Sequence, residues 1–449
     1  MAQPAVSSGS LPPLDTGPGR SRVWANTTLA AFQFPVYRVV WLGSFIGFLA
    51  FNMSGVAQGV IAYDLTGNNR AVGTVMFGQG IAMLLLNPFG GAIADRFNKR
   101  FLIIATQTVI GGVILAMALL LLTDNISILW LAVGSFATGA MFAILGPSRT
   151  ALLADVVSSA RIGNAMALLQ VGGNFGRICA PFLAGALLSI AAIGATGTYF
   201  IIAGMFVIVL LTMSHIPSSP SRSDRTTSVL DDARQGLAYM RRNVRLMHAL
   251  IGYYAITALG YSFWVVMPGF VKGDLQSSTA SLGAVLGVTA GGGLVGSIIV
   301  ASLADSPRAS LYLKVSSLLA ATMLATAGFA PNLLVLMIVM AFMGAGISAF
   351  QTLNNSVALR HADPAFYGRV MGLMQIAWGL INLFSLPTGF IADAVGERGV
   401  LIGAGTILLV LLLVMSAWER RIDRAEAVAA KETQPDSSEA PSPPHGFCC

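Results

Sequence analysis

The stretch GAIADRFNKR, residues 91–100, places four charges (Asp95, Arg96, Lys99, Arg100) within six positions. It lies between two long apolar runs in a chain of 449 residues that is 55% hydrophobic and only 10% charged. A water-soluble domain carries about a quarter charged residues. Segments such as GVLIGAGTILLVLLLVMSAW (399–418) have no charge at all. At about 1.5 Å per residue, a helix of that length spans roughly 30 Å, the hydrocarbon thickness of a bilayer. The composition therefore predicts an all-α integral membrane protein, and the charged decapeptide is one of its loops.

Outward from this loop, the apolar runs predict twelve transmembrane helices. Their limits are about 38–63, 72–94, 101–122, 127–147, 163–191, 198–215, 247–271, 279–303, 310–329, 332–357, 365–392 and 399–418. The third and fourth are separated only by TDNIS. The expected domains are a disordered tail (1–35), a six-helix bundle (36–215), a polar connector (216–245), a second six-helix bundle (246–418) and a disordered tail (419–449). The second half of the connector reads as an amphipathic helix on the membrane surface. The N-terminal tail is rich in Pro, Ser and Gly and lacks the apolar core of a signal peptide.

The net charge of +7 follows from topology rather than from nucleic-acid binding. With the N-terminus placed inside and the spans alternating, 22 of the 26 basic residues fall on the inner side. Only Arg70, Lys272 and Arg398 fall outside, and Arg177 lies within a span. Cytoplasmic loops collect Lys and Arg, so both termini are expected in the cytoplasm of a cell whose plasma membrane holds the protein. Cys179 sits in an apolar run and Cys448–Cys449 end the tail. They form no disulfide framework. The terminal pair reads as inert tail or as a lipidation site.

The two halves repeat weakly. GGAIADRFNKR follows the second span and VASLADSPRAS (300–310) follows the eighth, with Asp95 and Asp305 210 positions apart. SSARIGNAMALLQ (158–170) opens the fifth span and DPAFYGRVMGLMQ (363–375) the eleventh, with Arg161 and Arg369 208 apart. Similar offsets point to one six-helix unit used twice, as in transporters with a site between parallel halves.

GGAIADRFNKRFLI resembles the loop 2–3 signature of the major facilitator superfamily, Gly-x-Leu-Ala-Asp-Arg-x-Gly-Arg-Lys-x-x-Leu. Gly91, Ala94, Asp95 and Arg96 match, Ile93, Lys99, Arg100 and Ile103 are conservative versions, and Asn98 replaces a Gly. Because Asn tolerates a left-handed turn, Asn98 is expected to serve the same bend. The resemblance covers about residues 36–418 and implies two pseudo-symmetric bundles, secondary transport and alternating access. Within the superfamily, YDLTGNNRAVG (63–73), GPSRTALLADVV (146–157), LLQVGGNFGRICAP (168–181) and RVMGLMQ (369–375) resemble the bacterial enterobactin exporter and macrolide efflux group.

The loop and span 11 begin on the same side, where a helix N-terminus attracts a carboxylate. Asp363 and Pro364 read as the cap and first position of that helix. Asp95 is expected to cap span 11 and pair with Arg369. By the repeat, Asp305 would cap span 5 and pair with Arg161. The pair of latches would close the cytoplasmic side, while Arg96, Lys99 and Arg100 meet lipid headgroups or neighbouring carboxylates. The alternative is that the cluster only anchors the topology, a role that needs no acid.

GGNFGRICAPFLAGAL (172–187) resembles the antiporter motif Gly-x-x-x-Gly-Pro-x-x-Gly-Gly, matched by Gly176, Pro181 and Gly185 with Ala180 and Ala184 in place of Gly. Small residues let helices approach closely in lipid. Gly283, Gly287 and Gly291, with Gly292 and Gly296, offer span 8 as the facing surface. The motif implies export, or else generic small-residue packing.

Arg177 is one turn from Asn174 and two from Gln170, so the three share a helix face. An ionisable residue at membrane depth faces a cavity or a partner. It is read as a substrate or coupling residue, or as a structural arginine bonded to carbonyls. No Asp or Glu lies mid-span, since Asp64 and Asp393 sit near outer ends, and Ser135 stands where many antiporters of the superfamily carry an arginine. Proton coupling is thus implied by the resemblance alone.

The resemblance also implies a cavity lined by spans 1, 4, 7 and 10. Their candidates are Asn52, Gln58, Phe142, Tyr254, Tyr261, Trp264, Phe350, Gln351 and Asn354, to which span 11 adds Gln375, Trp378 and Asn382. Such a lining suits a bulky, mostly apolar molecule with a few hydrogen-bonding groups. No phosphate-binding loop, metal-ligand cluster or nucleophile–base pair is present, and His215, His248, His361 and His445 are scattered. These absences argue against an enzyme, an ATP-driven pump and any cofactor or metal. The expectation is a monomeric, proton-coupled exporter of an amphipathic small molecule. An importer, a lysophospholipid flippase or a non-transporting receptor are the alternatives.

Overall fold

The computed structural model describes residues 30–158, 161–214, 216, 238, 243–303, 306, 308–360, 370, 374, 377 and 379–432. The N-terminal bundle is α1 (Pro35–Thr66), α2 (Asn69–Arg96), α3 (Lys99–Leu122), α4 (Ile128–Val156), α5 (Ile162–Ser189) and α6 (Gly194–Met213). The C-terminal bundle has α7 (Val244–Gly260), α8 (Phe263–Gly269), α9 (Thr279–Ala301), α10 (Ala309–Ala327), α11 (Leu333–Arg360) and α12 (Ser385–Glu432).

Helix starts follow local chemistry. Pro35 opens α1 at a position whose N–H would have no partner, and Gly67 closes it in the left-handed conformation (φ 66°) with its N–H on the Tyr63 carbonyl at 2.7 Å. Asn98, Ser127, Asn243 and Ser278 cap α3, α4, α7 and α9 through their side chains. The short loop between α3 and α4 falls where TDNIS predicts it.

Ten stretches are long and apolar enough to cross a membrane among the described residues. One of them, Gly379–Trp418, is divided in two by Gly396 (φ 79°, ψ 161°), which breaks α12. Large apolar side chains such as Leu129, Leu334, Phe329 and Phe101 point outward and stay exposed. A belt of this kind needs lipid rather than water around it. The core is built where α1 packs on α5 and α6, α3 on α4 and α6, and α9 and α10 on α11.

Several expectations change. The sequence predicts a tail over 1–35, yet Ala30–Gln33 form a 3-10 turn with Ala30 and Ala31 buried. The Ala31 N–H donates to Asn164 Oδ1 at 2.9 Å, and this tertiary bond orders the segment. A C-terminal tail is predicted over 419–449, but α12 continues to Glu432. ERRIDRAEAVAAKE is rich in strong helix formers and extends a helix that is already nucleated. Span 4 is expected to end at 147, whereas α4 runs to Val156 and takes Arg149 into the helix. Span 7 is broken at Tyr261–Ser262 between α7 and α8 and ends in a π-turn, Phe270–Asp274. Apart from residues 216, 238 and 243–245, the connector lies outside the described residues.

Candidate functional site

Each bundle contributes polar and aromatic residues from midway along its helices. Halfway along α5, the Arg177 guanidinium lies over the Phe48 ring of α1, 5.7 Å from its centroid. Phe48 lies 6.2 Å from Phe142 of α4, and Phe142 stacks on Phe51 at 4.3 Å. The predicted polar face of α5 is present: Gln170 Nε2 donates to Asn174 Oδ1 at 3.2 Å. Tyr261, at the break between α7 and α8, is within electrostatic reach of Arg177. Its hydroxyl accepts a hydrogen bond from Gln351 Nε2 of α11 at 3.3 Å. A break in a membrane helix is tolerated where it lines a cavity or is buried in protein.

The other candidates have the following surroundings. The Asn52 side chain donates back to the Phe48 carbonyl at 2.7 Å, a bond within its own helix. Tyr254 lies beside Tyr253 and Trp264 beside Phe263, with ring centroids 6.4 Å and 5.7 Å apart. Gln58, Phe350 and Asn354 are closed off from any open surface, with 6%, 3% and 0% exposure. Helix packing shuts them in, which period and polarity alone do not reveal. Asn382 packs on Gly80 of α2, where an added Cβ would lie 2.6 Å from the Asn382 carbonyl carbon. Gln375 and Trp378 lie outside the described residues.

The charged loop shows three anchors. Lys99 Nζ is 2.5 Å from Asp155 Oδ2 at the end of α4. Arg100 Nη2 donates to the Ser214 carbonyl at the end of α6, at 2.6 Å. Asn98 is not left-handed (φ −58°, ψ 120°); its Oδ1 accepts from the Phe101 N–H at 3.2 Å. It caps α3 because an N-cap needs extended backbone and a short acceptor, which Asn supplies as readily as a bend. Gly91 borders open space and Arg96 is exposed. The Arg161 N–H donates to the Ser158 carbonyl at 2.8 Å in the residue before α5. The side chain of Asp95, and residues Asp305, Asp363, Pro364 and Arg369, lie outside the described residues.

The small-residue motif splits between two neighbours. Gly176 faces α1, where an added Cβ would lie 3.5 Å from Phe48. Ala180 and Ala184 are fully buried. Gly185 and Pro181 meet Gly283 of α9, and a Cβ on Gly185 would stand 2.7 Å from the Gly283 Cα. Gly287 receives the Phe182 ring. Gly292 and Gly296 instead pack on Ala341 and Ala345 of α11, and Gly291 borders open space. Only the first half of the glycine stripe therefore joins the two bundles.

Five acids have structural partners that sequence reasoning misses: Asp64, Asp155, Asp274, Asp393 and Glu397. Asp393 and Glu397 lie beside the start of α2, more than 320 positions away along the chain. Nothing in their local sequence announces that neighbour.

Comparison with known proteins bears on the family and the fold. The family description "Major Facilitator Superfamily" fits residues 40–385. The enterobactin exporter EntS of Escherichia coli O1:K1 is 25% identical over 404 residues, covering 86% of this chain and 93% of that one. The protein of the same name from Citrobacter koseri is 26% identical over 404 residues, with the same coverage. Among solved structures, a bacterial homologue of the human lysosomal transporter Spinster superposes with a TM-score of 0.70 at 15% identity, covering 86% of this chain and 96% of that one. The nucleoside transporter NupG gives 0.65 at 15% identity, with 85% and 98% covered. The chain belongs to the Major Facilitator Superfamily and is a membrane transporter, not an enzyme.

Proposed function

We propose that the protein is a proton-coupled exporter in the bacterial inner membrane that moves a bulky amphipathic molecule by alternating access. The observation that carries this reading is the cluster Arg177–Phe48–Tyr261–Gln351. It sets one cation over an aromatic ring in the N-terminal bundle, with a hydrogen-bonded hydroxyl of the C-terminal bundle within electrostatic range of that cation. Aromatic faces accept a large apolar body, and the few polar groups orient it. The relatives named as enterobactin exporters support the outward direction and widen the candidate cargo to siderophores as well as drugs and macrolides. The small-residue contact of α5 with α9 supports a rocking motion of two stiff bundles. In this reading both termini face the cytoplasm, and the chain works as a monomer. Asp95 with Arg369, and Asp305 with Arg161, latch the cytoplasmic side.

The test is accumulation of a lipophilic cationic dye in cells making the protein, with an Asp95→Asn variant and an uncoupler. The expected result is lower accumulation that depends on Asp95 and collapses when the uncoupler is added. Higher accumulation would reverse the direction to import. Equal accumulation with the protein confirmed in the membrane would remove broad export, and secreted metabolites would then be screened for one narrow substrate.

A further inference from the structure

The membrane face that carries the 67–68 and 393–398 connections is fastened across the two bundles. Residue Asn69 begins α2, whose own N-cap, Asn68, makes no side-chain capping bond. The first N–H groups of a helix need acceptors. Here they come from the other bundle: Asn69 N–H donates to Asp393 Oδ1 at 2.8 Å and Arg70 N–H to Asp393 Oδ2 at 3.2 Å. One carboxylate thus spans two backbone donors at the positive end of a helix dipole. The Arg70 side chain adds an ion pair with the same carboxylate at 3.8 Å, and Asn69 Nδ2 donates to Glu397 Oε1 at 2.7 Å.

A second fastener lies beside the first. Lys272, in the π-turn of the C-terminal bundle, pairs with Asp64 at the end of α1. Its turn is held from behind, where Asp274 accepts from Arg398 Nε at 3.0 Å. Arg398 also donates to the Gly328 and Ala330 carbonyls at 3.1 and 3.0 Å and covers the Phe270 ring. The Asp64–Lys272 contact therefore rests on a braced support rather than on two free side chains. Backbone approach completes the seal. A Cβ on Gly389 would stand 2.7 Å from the Asn69 carbonyl oxygen, and Ser385 Oγ donates to the Gly73 carbonyl at 2.9 Å.

We propose that Asp393, helped by Asp64–Lys272, is the positioning residue that holds this face shut during the transport cycle. This inference rests on alternating access as proposed above. A carboxylate from one bundle capping a helix start of the other is an all-or-none contact. Rocking the bundles apart leaves two N–H groups and a carboxylate to find water instead. Charge-assisted bonds are about twice as strong as neutral ones, so the charge of Asp393 matters more than its shape.

The experiment uses the full chain in cell membranes, with Cys179, Cys448 and Cys449 replaced by serine and one reporter, Ser385→Cys. Ser385 is 3% exposed and lies in the sealed seam. Its labelling rate by a membrane-impermeant maleimide, added from the side of the seam, reads how often that face opens. Asp393→Asn is expected to raise the rate about tenfold, a population shift of the size one lost charged contact gives. Asp64→Lys is expected to raise it too, and Asp64→Lys with Lys272→Asp to bring it back. Unchanged labelling in Asp393→Asn, or a charge swap no slower than Asp64→Lys alone, would overturn the proposal. If Asp393→Asn does not reach the membrane, the swap pair alone decides. Labelling needs no transported substrate, so a failed export assay with shifted labelling would dismiss the export reading and keep the latch.

Discussion

Lys99 and Asp155 join the start of α3 to the end of α4 through an Nζ–Oδ2 contact of 2.5 Å, with the Lys99 side chain 9% exposed and the Asp155 side chain 26%. Within the motif that decides the fold, this lysine is an internal strut rather than a headgroup contact. Arg100 does comparable work, because a cation at the carbonyl end of α6 complements the helix dipole.

Removing one partner of this pair leaves the other poorly solvated. Lys99→Met is expected to destabilise the N-terminal bundle by about 2–3 kcal/mol, at the low end for a buried pair because Asp155 keeps some access to water. Thermal unfolding in detergent would show it as a lower midpoint. In a double-mutant cycle with Asp155→Leu, the second change should cost much less than it does alone. Additive losses would mean that the two side chains do not interact.

The contact of α5 with α9 makes a paired prediction. A Cβ on Gly185 would press on the Gly283 backbone, which cannot swing away, so Gly185→Ala is expected to cost about 1–3 kcal/mol. Gly291, four and eight positions beyond Gly287 and Gly283, has nothing within 4 Å of an added Cβ. Gly291→Ala should therefore stay within about 0.5 kcal/mol of the parent or gain slightly from its better helix propensity. Equal effects at the two positions would contradict the seam geometry.

Asn98 tests capping against bending. Asn98→Ala loses the acceptor for the Phe101 N–H and is expected to cost about 1 kcal/mol, while Asn98→Asp keeps it. Asn98→Gly should cost only a few tenths of a kcal/mol, since glycine is an acceptable cap. A glycine variant more stable than the parent would return the position to a left-handed turn, where Gly is preferred.

At the central cluster, Arg177→Gln and Tyr261→Phe are each expected to slow transport about tenfold, the effect of losing one charged or hydroxyl contact to a bound molecule. The double variant should be little worse than either alone, because the two groups act together. Arg177→Lys should recover only part of the rate, since an ammonium lacks the flat guanidinium that covers Phe48. Dye efflux from preloaded cells is the measurement, with protein levels matched in the membrane.

Much of the architecture is legible in the sequence because the bilayer writes it there. A membrane helix must be long, apolar and internally hydrogen-bonded, so spans and short loops such as TDNIS stand out in one dimension. The family signature and the Gln170–Asn174–Arg177 face are equally local, being fixed by the helix period. The edges are less so. The Ala30–Gln33 turn and the break at Tyr261 depend on neighbours that are far away in the chain.

By itself the sequence determined the all-α membrane class, the family signature and the residue types available for a central site. The tertiary structure decided what those residues meet. Gln58, Phe350 and Asn354 share the polarity and spacing of the cavity candidates but are buried by helix packing, while Tyr261 reaches Gln351 because the chain breaks there. Asp393 carries no local signal at all, since its partners are the backbone N–H groups of a helix begun more than 320 residues earlier. A backbone donor looks the same in every sequence, and only the fold says which carboxylate comes within reach of it.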